Sequence, residues 1–159
     1  MIDLQQPHFH YRVAGVATHE GQVLLHRAEI DDSWSLPGGR TQLLETAQDA
    51  LRREMHEEVG AEVKVGRLLW AVENFFRDRG ERHHELGLYF LMSLEPNSPL
   101  YSHDGPFSGD EGGLALEFRW YPQEQSVLAQ LPVYPAFLQQ GLTSLPDVPQ
   151  HVVHYDLDF

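Results

Sequence analysis

The stretch that most limits what this chain can become runs from Gly39 to Ala61, GRTQLLETAQDALRREMHEEVGA. Ala47, Leu51, Met55 and Val59 recur every fourth residue, which predicts a helix whose apolar stripe faces a sheet. Glu45 and Thr46 supply a polar, acidic start and Gly60 a stop. Positions three and four apart share a helix face, so Glu54, Glu57 and Glu58 are expected on one side, with Ala50 one turn back. Like charges at that spacing repel. A divalent cation is the simplest agent to offset the repulsion, and oxygen-only ligands suit Mg²⁺ or Mn²⁺. Gly38 and Gly39, just before the helix, let backbone approach closely. A carbonyl there can complete a metal shell, and amides there can contact phosphate.

Composition narrows the rest. The 159 residues make one domain, 1–159, large enough for one sizeable core. The formal charge of −13 argues against a bare electrostatic grip on a nucleic acid polymer. It does not argue against phosphate chemistry, because metal ions can sit between an acidic site and a polyphosphate. No apolar run reaches the length of a membrane span, and no membrane partner is expected. The N-terminus has neither a basic region nor an apolar signal core, so a cytoplasmic location is expected. The absence of cysteine rules out disulfides, thiolate catalysis and Cys-based zinc sites.

Taken in order, residues 1–8 read as a lead-in. Residues 9–18 and 22–27 read as strands, paired as a hairpin across the turn signal His19-Glu20-Gly21. After the helix, 63–76 and 84–94 read as a second hairpin around a charged turn. Residues 95–113, with three prolines and four glycines, read as a long irregular loop. Residues 114–121 predict a strand, 122–131 and 136–141 short helices, and 151–159 a terminal strand. This alternation gives an α+β fold.

The spacing in the helix matches a known motif. Gly39, Glu45, Arg53-Glu54, Met55, Glu57-Glu58, Gly60 and Ala61 resemble the Nudix box at every defined position, and the lead-in Trp34-Ser35-Leu36-Pro37-Gly38 is similar too. Ala61 stands where the family more often has a larger aliphatic residue. The resemblance implies an α/β/α sandwich around a mixed sheet. It also implies Mg²⁺- or Mn²⁺-dependent hydrolysis of the pyrophosphate linkage of a nucleoside diphosphate joined to another moiety. By position, Glu54 and Glu58 resemble the principal metal ligands, with the Gly39 carbonyl a further one. Glu57 resembles the residue that shares metals or activates water. Arg53 resembles the arginine that orients carboxylates, here by pairing with Glu45. Some members recruit a base from a later loop, where Glu111 and Glu117 are candidates. Family members are often dimers, so a homodimer is an expectation.

Outside the box the residues admit several readings. Arg27 is a candidate for substrate phosphate, alongside the amides of Gly38 and Gly39. Trp34, Trp70, Phe75 and Phe76 could stack on a base, although strand aromatics usually pack in cores. Glu73 could reach a polar substrate edge. His83 and His84 point to opposite faces of a strand and so are not expected to share an ion. The region Glu73-Asn74-Phe75-Phe76-Arg77 lacks the proline of many ADP-ribose hydrolases of the family and the tyrosine of many diadenosine polyphosphate hydrolases. A nucleoside triphosphate, ADP-ribose and a nucleotide sugar stay open as small-molecule substrates. The competing reading is a Nudix-fold nucleotide sensor without turnover, and the complete acidic set disfavours it.

Overall fold

The computed structural model describes residues 6–102 and 105–159; most of the expected lead-in therefore lies outside the described residues. In chain order the elements are β1 (His8–Val16), β2 (Thr18–His19), β3 (Gln22–Ala28), β4 (Gly38–Arg40), α1 (Ala47–Val59), β5 (Val63–Asp78), β6 (Glu81–Leu94), a 3₁₀ turn (Pro99–Tyr101), β7 (Phe107–Glu111), β8 (Leu114–Pro122), α2 (Gln125–Leu128), α3 (Leu138–Gly141) and β9 (Gln150–Tyr155). They form two sheets, ordered β4-β1-β6-β5-β9 and β2-β3-β8-β7. The larger sheet is mixed: β1–β6 and β5–β9 run parallel, β1–β4 and β5–β6 antiparallel. The sandwich is α+β, with α1 on one face of this sheet and α2 and α3 on the other. Among the described residues, no helix is long and apolar enough to cross a membrane.

The alternation along β1 builds both cores. Val13 packs with Leu51, Met55, Phe90 and Phe118 on the α1 side. Ala14 and Val16 pack with Trp70, Tyr89, Leu138 and Leu142 on the other. Helix α1 is where local signals agree. Thr46 caps it through its hydroxyl, which accepts from the Asp49 amide at 3.1 Å. Gly60 ends it in the left-handed conformation at φ 67°, which glycine adopts without a Cβ penalty.

Three expectations change. The first hairpin is β2–β3, not residues 9–18 with 22–27. Strand β1 pairs in parallel with β6 from His8↔His83 to Val16↔Leu91, and the chain switches sheets after it. Nothing local to the two strands encodes that long-range choice. The loop 95–113 contains β7, which pairs with β8 from Phe107↔Phe118 to Glu111↔Leu114. Its sequence FSGDE has little apolar alternation, and its partner supplies the order. The terminal strand is shorter than 151–159, ending at Tyr155. The second hairpin is as expected, and the loose alternation of β5 has a cause: its register slips between Val65 and Leu68 and again between Leu68 and Trp70.

Packing rather than capping should anchor α1. Met55 is fully buried, so Met55→Ala is expected to cost about 2–5 kcal/mol. Thr46→Ala is expected to cost about 1 kcal/mol. Urea unfolding of the two variants checks this; equal losses would contradict it.

Candidate functional site

Helix α1 delivers Glu54, Glu57 and Glu58, but not as one exposed face. The Glu58 side chain is 1% exposed, Glu54 12% and Glu57 56%. The reason is angular. Glu58 lies one turn beyond Met55 and two beyond Leu51, so it shares their buried flank. The expected separation of an apolar stripe from an acidic face therefore fails at Glu58.

Arg53 gathers the other carboxylates. Its Nε donates to Glu45 Oε2 at 2.7 Å and its Nη2 to Glu45 Oε1 at 2.9 Å, a two-point pair. Its Nη1 donates to Glu54 Oε1 at 2.9 Å and Glu57 Oε2 at 3.2 Å. Its Nη2 also reaches the Arg40 carbonyl at 3.1 Å, tying α1 to β4. The Arg53–Glu45 pair expected from the sequence is thus present. The hydrogen bonds from Arg53 hold Glu45 below the usual carboxylate range. Gly39 completes the junction on β4: a Cβ there would meet the Glu54 carboxyl group and displace it from its present position.

Glu58 has no such cation. Both its oxygens are buried without a hydrogen-bond partner. Burial, with the nearby Glu111 charge adding to it, pushes its carboxyl up to about 8. Burial also raises Glu54, against the opposing hydrogen bond from Arg53. His26, on β3, lies with Nδ1 3.6 Å from Glu58 Oε2. Burial, reinforced by Arg12, drives the imidazole down to about 3. Two neutral groups at 3.6 Å make neither an ion pair nor a hydrogen bond. His26 instead packs against Phe118 and walls in the carboxyl group.

Among the described residues, no three His, Asp or Glu side chains form a ready metal-ligand group. Arg53 stands between Glu54 and Glu57, and nothing draws Glu58 toward them. The donors nonetheless fit a hard divalent cation: they are carboxylate oxygens, two of them buried and unsatisfied, beside a strand whose backbone approaches closely.

The other candidates separate. Glu111, on β7, lines a cavity of about 430 Å³ together with Gly39, Arg40, Glu54 and Arg12. Glu117 is occupied: Arg27 donates to it at 3.1 and 3.2 Å and Arg119 pairs with it at 3.1 Å. Arg27 also lies over the Trp34 ring, 4.6 Å from its centroid. It borders a second cavity of about 260 Å³, which Gly38, His26 and Glu111 also line. Trp34 and Trp70 are buried in the core. Phe75 stacks with His84 and Tyr155 on the face of the large sheet that also carries α1, where Glu73 binds His151 at 2.8 Å. Glu73 does not line the cleft. Phe76 and His83 stack on the opposite face, as alternation requires of the His83-His84 pair.

Arg12 and His26 were not singled out in the sequence. Arg12 borders every cavity named so far and donates to the Leu36 carbonyl at 2.9 Å. Both were detectable: His26 alternates with Leu24 and Ala28, which are inward, and Arg12 with Ala14 and Val16.

The comparisons with known proteins agree with this geometry. The family model of the NUDIX domain matches residues 8–138. An RNA pyrophosphohydrolase of Psychrobacter sp. (strain PRwf-1) is 33% identical over 143 residues, covering 82% of each chain. An RNA pyrophosphohydrolase of Pseudomonas fluorescens (strain SBW25) is 31% identical over 131 residues, covering 76% of this chain and 82% of that one. A Nudix hydrolase from Nitrosomonas europaea has the same fold, with a TM-score of 0.62 and 19% identity, over 98% of this chain and 83% of its own. The chain belongs to the Nudix family of hydrolases, whose named relatives here are pyrophosphohydrolases acting on phosphoanhydride bonds.

Proposed function

We propose that this protein hydrolyses the pyrophosphate linkage of a nucleotide, using Mg²⁺ or Mn²⁺ held by Glu54, Glu58 and the Gly39 carbonyl. The observation that carries the reading is the pair of buried, unpartnered Glu58 oxygens next to Glu54, which itself lines the cleft. A carboxylate buried against this cost is hard to explain as scaffold. When bound, the metal supplies charge neutralisation of the pyrophosphate and a more acidic water. The chain's own residues do the rest. Arg53 keeps Glu54 and Glu57 oriented from behind. Arg12 and Arg27 face the cavities where phosphate oxygens would lie. Glu111, free of ion pairs among the described residues, is a better base candidate than Glu117, which two arginines hold. Glu57, exposed and paired with Arg53 alone among the described residues, is the other candidate.

The relatives named RNA pyrophosphohydrolase favour a second substrate reading, the 5′-triphosphate end of an RNA. The net charge of −13 suits a grip on the terminal nucleotide rather than on the polymer. A phosphate-release screen decides among these readings. Nucleoside triphosphates, ADP-ribose, nucleotide sugars and a triphosphorylated RNA would be tested with Mg²⁺ and with Mn²⁺. Tight nucleotide binding with no release from any of them would identify a sensor instead.

Two predictions follow from the Glu58 environment. Glu58→Gln should lower turnover by at least ~100-fold. It should also raise the melting temperature of the metal-free protein at pH 8, because it removes a buried ionisable group. Lost turnover with lost stability would point to a structural role. The second concerns pH. Glu58 has a folded pKa above its unfolded value, so its contribution to stability is complete below about 4.5 and lost as pH rises toward about 8. His26 has a depressed folded pKa, so its contribution is complete above about 6.5 and lost as pH falls toward about 3. The metal-free melting temperature should therefore hold level between about pH 4.5 and 6.5 and decline toward pH 8. Mg²⁺ should recover that decline, measured by thermal unfolding with and without the ion. A melting temperature independent of both pH and Mg²⁺ over this range would contradict the assignment.

A further inference from the structure

The cleft has a second half that the metal chemistry does not use. Strand register sets His10, Glu85, Asn74 and His154 side by side across β1, β6, β5 and β9. They lie on the face opposite α1. The next row along the sheet carries the stacked rings of Phe76 and His83, 4.9 Å apart and 8° from parallel. Tyr134 meets Phe76 edge-on, and its hydroxyl is buried without a partner. Of these residues Asn74, Glu85, Phe76 and Tyr134, together with Arg12 and Tyr89, line a recess of about 170 Å³. Arg12, Phe76 and Glu85 also line the larger cavity that Glu54 borders, so the recess adjoins the space in front of Glu54.

The polar pattern of the recess is specific. Asn74 is only 2% exposed, in a strand whose neighbours Val72 and Trp70 are core residues. Its Oδ1 is 2.9 Å from His154 Nδ1. Burial holds His154 below its ordinary pKa, so a neutral imidazole can donate that hydrogen bond. The Asn74 amide NH₂ is then left without an acceptor among the described residues. Glu85, paired with Asn74 in the ladder, accepts no hydrogen bond from any described side chain, although Arg12 and Arg40 lie near enough to be felt electrostatically. A donor stands next to a carboxylate acceptor, and both face a recess with an aromatic wall.

We propose that this recess selects a guanine base, with Asn74 donating to O6 and Glu85 accepting from N1–H and the N2 amino group. Adenine presents the reverse pattern, setting its N6 amino group against the Asn74 NH₂ and its N1 lone pair against the carboxylate. Guanine offers the acceptor and the donors in the order the recess requires. The base would stand on the sheet while its phosphates pass Arg12 toward Glu54. This inference rests on the pyrophosphohydrolase reading for its substrate class, but the base preference can be tested separately.

The test compares kcat/KM for GTP, ATP, CTP and UTP, and for triphosphorylated RNAs beginning with G or A, which distinguishes a free nucleotide from an RNA end. Guanine is expected to be preferred over adenine by ~10–100-fold. Glu85→Gln, with Glu85→Asp as a second variant should the first fold poorly, is expected to bring the G-to-A ratio within about threefold, mainly through KM. Glu73→Gln, on the α1 face of the sheet, should leave the ratio where it was. Equal kcat/KM for all four bases, or a guanine preference that survives both Glu85 variants, would overturn the proposal. Should no nucleotide turn over, the enzymatic reading fails, and calorimetric binding of GDP against ADP decides the recess alone. Tighter GDP binding that the Glu85 variants abolish supports it, and equal binding overturns it.

Discussion

The burial of one carboxyl group is the constraint on which the site depends. Glu58 lies on the flank that α1 turns toward the core, beside Leu51 and Met55, and has no partner for either oxygen. Replacing it with an apolar residue would relieve a desolvation cost that the nearby Arg12 charge offsets only in part. His26 is held neutral, and Glu111 adds like charge. Such a group makes physical sense where a cation, or a proton standing in for one, completes it.

Arg53 shows the complementary solution. It donates hydrogen bonds to Glu45, Glu54 and Glu57 and to the Arg40 carbonyl, which ties helix to strand. The absence of a Cβ at Gly39 leaves room for the Glu54 carboxyl group beside the strand. Arg53 thus divides the acidic cluster into a satisfied outer part and an unsatisfied inner part. Glu54, next to Glu58, lines the larger of the cavities that Arg12 borders.

Much of this was legible in the sequence, for reasons specific to each element. Helix α1 was readable because period, cap and stop agree: Ala47, Leu51, Met55 and Val59, with Thr46 before and Gly60 after. The residues of the box were readable because side-chain chemistry at fixed spacing is a local property. What was not legible depends on partners far along the chain. Strand β1 chose β6 over β3, and β7 formed only because β8 was there to pair with. The burial of Glu58 needed the orientation of α1 against both sheets. The row His10, Glu85, Asn74 and His154 exists only once four strands are in register, so no window of sequence could contain it.

The central claim is that Glu58 keeps a proton until a divalent ion takes its place. Calorimetric titration of the protein with Mn²⁺ near pH 7, repeated in buffers of different ionisation enthalpy, counts the protons released on binding. The account predicts release of about one proton per ion bound, abolished in Glu58→Gln. Mn²⁺ binding without proton release, or the same release in Glu58→Gln, would contradict it.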